Sequence, residues 1–329
     1  NRTVRSLSDR YDSLKDFENQ AADYLDVGRI PASMSPRDQE NLSHGKVQDD
    51  LDEFHKTFVD IIGDLIHESG IDPDSVGVYL LAKHAEERNA HVFEREKEQR
   101  KKNIARTEKE IERLEDDVEV DHTVAIATQR ERLEQYKTLP FKFEDSGSGM
   151  TNSEAQSVLN TAEREGTKDQ MEEIASKVYE MLQFQRDRMV EAGLLDEVSR
   201  ADWEDTFKFY VPLKGFAAEE NGDSYVRGSA SRGFSVIGSE SMKAKGRKTL
   251  PVNPLLTAIE DVQKKIIRAR KNETAQTLLD LLSNLGNSES YVIYNNKFRP
   301  PMESDPLTMQ DLKSMSRDRR PNGDPKYVE

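Results

Sequence analysis

The stretch from Glu86 to Lys137 constrains the fold more than any other part of this sequence, because its apolar residues are few and follow helical spacing. In a run dense in Glu, Lys and Arg, they recur at intervals of seven, three and four residues: Ile104, Ile111, Leu114 and Val118. Such a narrow seam can be covered by one neighbouring helix, as in a coiled coil or a hairpin. The stretch is therefore predicted to be a long charged helical arm, with a single helix lying along its own domain as the alternative.

A bend is predicted within this arm between Asp116 and Val124. Three valines fall in this interval, and β-branched residues have lower helix propensity than the surrounding Glu and Lys. The polar spacing of the arm also lapses there. We therefore expect the helix to be interrupted at this point rather than to continue unbroken to Lys137.

The charge balance favours helices with large solvated faces. The 329 residues include 48 Lys+Arg and 63 Asp+Glu, which gives a net charge of −15. Charged residues make up 34% of the chain, against a usual share of about 25%. The hydrophobic share of 35% is enough for helical cores but not for one thick globular core. A chain of this length is expected to form two or three domains.

Several protein classes are excluded by composition. No apolar run of about 18 residues is present, so an integral membrane segment is not expected. Cysteine is absent, which rules out disulfides, thiolate metal sites and a Cys nucleophile. The chain starts at Asn1 without a Met or an apolar signal region, and it stops at Tyr327–Glu329, where a strand is predicted to begin. These ends suggest a piece of a longer polypeptide.

The fold class predicted is mainly α: an elongated multi-helix bundle with the charged arm and a minor β element near the C-terminus. Periodicity and capping signals predict helices over 1–28, 36–70, from Asp72-Pro73 onward, 153–165, 168–193, 199–207, 253–285 and 307–314, with a strand over 291–294. The corresponding organisation is an N-terminal helical segment (1–85), the arm (86–140), a flexible Gly/Ser linker (141–152), a helical domain (153–214), a basic Gly/Ser-rich loop (215–252), and a long helix with a strand and a Pro/Arg-rich tail (253–329).

No catalytic or metal-binding motif is predicted from the sequence. The glycines Gly238 and Gly246 have the wrong spacing for a phosphate-binding loop, and Gly147-Ser-Gly149 lacks the preceding strand of a dinucleotide or nucleophile motif. The six histidines form no HExxH pair, and His84 and His91 have no third ligand close in sequence. No catalytic residue, metal site or cofactor is therefore assigned.

One basic segment stands out against the acidic background. Between Arg227 and Lys271, eleven basic side chains meet only three acidic ones, a local charge of +8 that leaves −23 for the rest of the chain. The candidate nucleic-acid-binding residues are Arg227, Arg232, Lys243, Lys245, Arg247, Lys248, Lys264, Lys265, Arg268, Arg270 and Lys271. A cationic segment of this kind fits the phosphate backbone of DNA. The alternative is that it neutralises acidic faces of neighbouring helices or subunits.

Several short motifs resemble those of very large bacteriophage proteins that are carried in the head and injected with the genome. These are internal virion or ejection proteins, giant polyvalent proteins and DarB-like antirestriction proteins, some of them associated with a virion RNA polymerase. The motifs that carry the resemblance are Tyr79-Leu-Leu-Ala-Lys-His-Ala-Glu-Glu-Arg-Asn-Ala90, Gly147-Ser-Gly-Met-Thr151, Glu154-Ala155, Gly246-Arg-Lys248, Asn253-Pro-Leu255, Lys271-Asn272 and Gly323-Asp-Pro-Lys-Tyr-Val-Glu329.

The resemblance implies a structural, non-enzymatic segment of a phage virion protein that is ejected with the genome and contributes to the conduit for DNA. Its location would be the interior of the virion head or tail, and after ejection the host envelope or cytoplasm. Portal, tail or other ejection proteins are the expected partners, with the DNA backbone and a second copy of the chain as further ones. Two alternatives stay open: a module beside a virion RNA polymerase or antirestriction activity, and a host-directed binding protein.

Replacing Lys243, Lys245, Arg247 and Lys248 together by Ala tests the DNA alternative. Because backbone contacts release counterions, the quadruple variant should bind all DNA sequences more weakly, and the salt dependence of binding should flatten by up to about four phosphate contacts. Fluorescence anisotropy with a labelled duplex over a salt series measures both effects. Binding that is unchanged by the substitutions would assign the segment to protein contacts.

Overall fold

The computed structural model describes residues 12–117, 122–215 and 246–285, together with two two-residue strands farther along the chain. The described part is mainly α, as predicted. Its nine helices are α1 (Asp12–Tyr24), α2 (Pro36–Phe54), α3 (Asp60–Ser69), α4 (Pro73–Asp116), α5 (Thr123–Thr138), α6 (Asn152–Arg164), α7 (Lys168–Glu191), α8 (Glu197–Thr206) and α9 (Pro254–Leu285). None of them is both long and apolar enough to span a bilayer.

The capping signals read from the sequence mark where two of these helices begin. The Ser35 hydroxyl accepts the backbone N–H of Asp38 at 3.0 Å at the start of α2. At the start of α6, Thr151 and Glu154 form the reciprocal capping box that the sequence predicts. Because a cap satisfies backbone N–H groups that have no partner inside the helix, it fixes the first turn locally, before any tertiary contact.

The central core is built from the face shared by α2–α3, the first half of α4, α7 and α9. A π-helical turn, His55–Val59, joins α2 to α3 in one continuous rod. The fully buried large side chains come from each of the four layers: Phe54, Ile62, Tyr79, Leu80, Ile174, Met181 and Leu182, against Leu255, Val262 and Ile266 of α9. Burial of such side chains contributes about 1.5–3 kcal/mol each, so this cluster holds the helices together.

The charged arm is a helical hairpin, one of the arrangements that the sequence left open. α4 runs without a break to Asp116, and α5 returns antiparallel to it. Arg130 pairs with Glu115 at 2.7 Å and Lys137 with Glu108 at 3.0 Å, so higher numbers in α5 meet lower numbers in α4. The predicted interruption between 116 and 124 is confirmed by these helix ends.

The predicted boundary between residues 85 and 86 falls inside the single helix α4. Composition changes there because the inner half of α4 faces the core, whereas its outer half faces only the narrow seam with α5. Val92, beyond the boundary, is still 4% exposed, and on the outer half Ile111 and Leu114 are buried. The change in composition at residue 86 therefore marks a change of neighbour along one helix.

The prediction of a flexible linker over 141–152 is wrong for residues 146–150, which lie packed against α4. Ser148 is fully buried, and its backbone N–H donates to the Asn89 side chain at 2.6 Å. A Cβ on Gly147 would lie 2.7 Å from the Cβ of Val92, and Gly149 has φ +89. Small residues that read as a hinge are therefore required for close approach and for a left-handed turn.

The remaining elements lie at the two ends of the chain. Ala21, Ala22 and Ile30 pack against Leu281 and its neighbours near the end of α9 in a separate small cluster. Ile293–Tyr294 and Tyr327–Val328 form an antiparallel pair with Ile293 opposite Val328, which agrees with the minor β element expected near the C-terminus. The helix predicted over 307–314 lies outside the described residues.

Candidate functional site

The candidate nucleic-acid residues do not all fall within the described part of the chain. Arg227, Arg232, Lys243 and Lys245 lie outside it. The other seven are divided between the segment 246–252 and α9: Arg247 and Lys248 on the former, and Lys264, Lys265, Arg268, Arg270 and Lys271 on the latter. Their neighbours decide whether these cations can face a phosphate backbone.

Arg270 is held by carboxylates of its own chain. Its guanidinium forms two hydrogen bonds with Asp50 of α2, at 2.6 and 2.8 Å, and two with Glu273, at 2.9 and 3.0 Å. The hydrogen bonds that Arg270 donates to Asp50 raise the pKa of Arg270 above its ordinary value, although partial burial opposes them. In this structure Arg270 therefore neutralises an acidic neighbouring helix, the alternative given for the basic segment, and its assignment to DNA stays a prediction.

Arg247 also forms hydrogen bonds within its own segment, residues 246–252. Its guanidinium donates to the backbone carbonyls of Thr249 at 2.8 Å and Leu250 at 3.4 Å, and its backbone N–H donates to the carbonyl of Gly147 at 3.0 Å. Lys248 is exposed, and Lys264 is 57% exposed beside Glu260 at 3.2 Å. Lys265, Arg268 and Lys271 are half-buried along α9. The charge counted along the sequence is thus only partly available to a polyanion.

The motif Tyr79–Ala90 lies on the inner half of α4, and Asn89 is its most heavily bonded residue. The buried Asn89 amide nitrogen lies 2.9 Å from the carbonyls of Asp145 and Met150 and 2.8 Å from the Asn152 side chain. Its oxygen accepts the N–H of Ser148. One side chain therefore fastens the start of α6 and the turn before it to α4.

A second group of this motif meets α7. The Tyr79 hydroxyl donates to Glu172 at 2.6 Å, and Lys83 reaches both Glu172 oxygens at 2.7 and 2.5 Å while it covers the ring of Phe209 at 4.4 Å. Burial raises the pKa of Glu172, but the hydrogen bonds from Lys83 and Tyr79 outweigh it and lower the pKa overall. This carboxylate is held ionised as a link between two helices.

The third group holds an extended segment, residues 207–214, which we call the strap. The Glu87 carboxylate accepts the backbone N–H groups of Lys208 at 2.9 Å and Phe209 at 3.0 Å, and it bonds His84 Nδ1 at 2.8 Å. Tyr210 packs against His84 with ring centroids 5.7 Å apart. A half-buried carboxylate with three partners is a strong positional constraint, since each of the three bonds is lost if it moves.

Of the motifs after residue 245, the one that contains Asn253 also contacts α4, whereas Asn272 donates to the carbonyl of Ala192 just after α7. Asn253 caps α9 by accepting the N–H of Leu255 at 2.9 Å, and it donates to Asp74 at 2.8 Å at the start of α4. A Cβ on Gly77 would lie 2.3 Å from the Asn253 side-chain oxygen, so a larger residue at this crossing would displace the Asn253 cap. Within the described residues, the motifs Tyr79–Ala90, Gly147–Thr151 and Asn253–Leu255 therefore meet at the inner half of α4, whereas Gly246–Lys248 is bonded to Gly147.

The polar side chains at this convergence hold the fold together. His84 is the residue among them that most often acts as a general base in enzymes. A general base must be within hydrogen-bond reach of its substrate, and His84 is fully buried in this structure.

A cavity of about 150 Å³ lies beside Lys83 and Phe209, between α4 and α6. Across the described ranges, no group of three or more His, Asp or Glu is arranged to hold a metal ion.

Sequence reasoning identified some of these residues without their roles. Glu87 and Asn89 lie inside the motif quoted for the resemblance, and helical spacing alone could have placed them on faces of α4. Glu172 carried no signal, because it lies 89 residues from Lys83 in a chain rich in carboxylates. Only packing of α7 against α4 selects it.

Comparison with protein-family models, with curated proteins and with solved structures gave no significant match to this chain.

Replacing Asn89 by Asp should destabilise the fold by about 2–3 kcal/mol, although the two side chains have nearly the same shape. The variant removes the N–H donors and turns an oxygen toward the acceptors of Asp145, Met150 and Asn152. Urea denaturation measures the change, and Asn103→Asp on the arm is the matched control, expected within about 0.5 kcal/mol of wild type. Equal stabilities of the two variants would contradict the role given to Asn89.

Replacing Arg270 by Ala should lower the free energy of unfolding by about 2–4 kcal/mol, because it leaves the largely buried carboxylate of Asp50 without a partner. Lys264→Ala is the matched control on the same helix, and its exposed pair with Glu260 should contribute less than about 1 kcal/mol. Thermal and urea unfolding compare the two. A free energy of unfolding equal to that of the wild type would show that the fold does not depend on the Arg270–Asp50 pair, and Arg270 would then be available to bind DNA.

Proposed function

We propose that this chain is a structural, non-enzymatic segment of a large phage virion protein, packaged in the particle and ejected with the genome as part of the conduit for DNA. The observation that carries the proposal is the convergence on α4. The residues through which the sequence resembles injected phage proteins form hydrogen bonds that join separate parts of the chain. Motif residues that join separate parts of the chain support a structural role for this segment.

The arm supports a role in assembly. α5 has no buried residue, and the ion pairs along the hairpin are exposed, so most of the arm's surface is open to a neighbour. Portal, tail or other ejection proteins, and further copies of the chain, are the partners we propose for this surface. Exposed ion pairs contribute little by themselves, so they can be exchanged for intermolecular ones at small cost.

DNA is the proposed partner of those basic residues that remain exposed. Exposed Lys248 and Lys264 are the described candidates, and Lys243 and Lys245 lie directly before the segment that is pinned to Gly147. Contacts of this kind position a protein on a phosphate backbone and are independent of base sequence. The interaction is therefore proposed to be weak, general and sensitive to salt.

Mass spectrometry of the purified phage, before and after DNA release is triggered in vitro, tests the proposal. We expect peptides from this chain in intact particles and their loss from emptied ones, with density for the chain in the head-to-tail channel by cryo-EM. Retention in emptied particles would contradict ejection while leaving a structural role. Absence from particles, with expression in infected cells, would overturn the proposal in favour of a host-directed protein.

A further inference from the structure

The strap, residues 207–214, lies between helices and is held to α4 by few polar contacts. Glu87 binds two of its backbone N–H groups, at 2.9 and 3.0 Å. Val211 is fully buried in the central core, and the carbonyl of Lys214 accepts the N–H of Val252 at 2.9 Å. The strap therefore depends on one carboxylate where it crosses α4, and that carboxylate is shared with His84.

His84 is in one defined tautomer. An ionised carboxylate only accepts hydrogen bonds, so the His84 nitrogen that lies 2.8 Å from Glu87, Nδ1, carries the proton. The other nitrogen, Nε2, is then a bare acceptor. It is buried and has no hydrogen-bond partner among the residues that the structure describes, and the whole side chain is 0% exposed. The imidazole is neutral in this arrangement, and a proton added at Nε2 would enter an apolar site.

The surroundings of His84 are aromatic and already positively charged. The rings of Phe207 and Tyr210 lie edge-on to it, with centroids 5.4 and 5.7 Å away. The titratable and charged groups that act on His84 or on its contacts are Glu87, Arg88 and His91 on α4, Tyr179 and Arg186 on α7, Tyr210 on the strap, and Asp261 on α9. Of these groups, only Glu87 acts on His84 itself in the direction that stabilises the protonated imidazole. The Glu87 carboxylate is hydrogen-bonded to Nδ1, not to Nε2.

We propose that His84 and Glu87 form a pH-sensitive latch that holds the strap on α4 while His84 is neutral and releases it when His84 is protonated at Nε2. Protonation places a second N–H donor and a positive charge next to Arg88, with no acceptor for the new proton. Such a buried, unpaired charge is relieved most directly by hydration of the site, and the strap is the element whose departure admits water. Release uncovers the rings of Phe207 and Tyr210.

The direction of the pH dependence follows from burial. Burial lowers the pKa of His84 below its ordinary value of 6.5, and the bond to Glu87 opposes this only in part. The released state therefore takes up the proton more readily than the docked state does. Docking is fully favoured above the ordinary pKa and weakens as the pH falls through it, by up to about tenfold in population per pH unit. This inference is independent of the proposed function.

The chain carries its own reporter of the strap. Trp203 is the only tryptophan, and its ring lies 4.8 Å from that of Tyr210. Tryptophan emission recorded from pH 8 to pH 5, with far-UV circular dichroism of the same samples, follows release of the strap separately from loss of the helices. We expect a reversible shift of emission to longer wavelength below pH 6.5, with helical dichroism retained, and increased binding of an apolar dye over the same range.

Two variants assign the change to His84. His84→Gln keeps a donor toward Glu87 but cannot gain a proton, so its emission should not change between pH 8 and pH 5. His91→Gln is the matched control, because His91 also contacts Phe207, at 5.1 Å, and it should titrate as the wild type does. A wild-type emission that stays constant over this range, or a His84→Gln profile that matches the wild type, would overturn the latch.

A measurement on the unmodified chain covers the case in which His84→Gln does not fold. Nitrogen-15 NMR of the imidazoles distinguishes the two neutral tautomers and follows protonation directly. We expect His84 to be protonated at Nδ1 at pH 8, with its transition below 6.5 coinciding with the emission change. A proton on Nε2 at pH 8, or a transition at or above 6.5, would contradict the proposal.

Discussion

The rest of this structure depends on the cost of burying polar groups along the inner half of α4. A buried donor or acceptor that lacks a partner costs about 1–3 kcal/mol, and more when it is charged. This half of α4 carries Lys83, His84, Glu87 and Asn89 within seven positions, so it can be buried only if other segments supply partners. The turn before α6, the strap and α7 do so. Their positions are consequences of that requirement as much as of apolar packing.

The same principle governs the charges on α9. An acidic chain with a locally basic helix can satisfy itself before it binds any partner, and Arg270 does this with Asp50 and Glu273. Cations that remain exposed are a different population, suited to weak contacts that respond to salt. A count of charges along the sequence does not separate the two populations. Recognition of DNA, if carried by this chain, therefore depends on fewer side chains than the basic segment contains.

A structural module and a latch are compatible in one chain. Most of the hydrogen bonds on α4 are made by groups that stay in one ionisation state near neutral pH. His84 is the exception, because imidazole is the side chain whose ordinary pKa of 6.5 lies in that range. Its free Nε2 makes it the one place along this interface where a modest change of pH alters the number of satisfied groups. Release would remove Val211 from the central core, while the helices around it would keep their mutual packing.

Local signals in the sequence determined the helices, the caps and the interruption of the arm, because these depend on residues within about four positions of one another. They did not determine that the Gly-Ser turn at 146–150 is packed, that α4 crosses an apparent domain boundary, or that Arg270 is occupied. Those outcomes require partners 89 residues away, as for Lys83 and Glu172, or 220 residues away, as for Arg270 and Asp50. Tertiary packing alone decides which of many carboxylates and amides comes within hydrogen-bond distance. It therefore decided which partners the motif Tyr79–Ala90 binds.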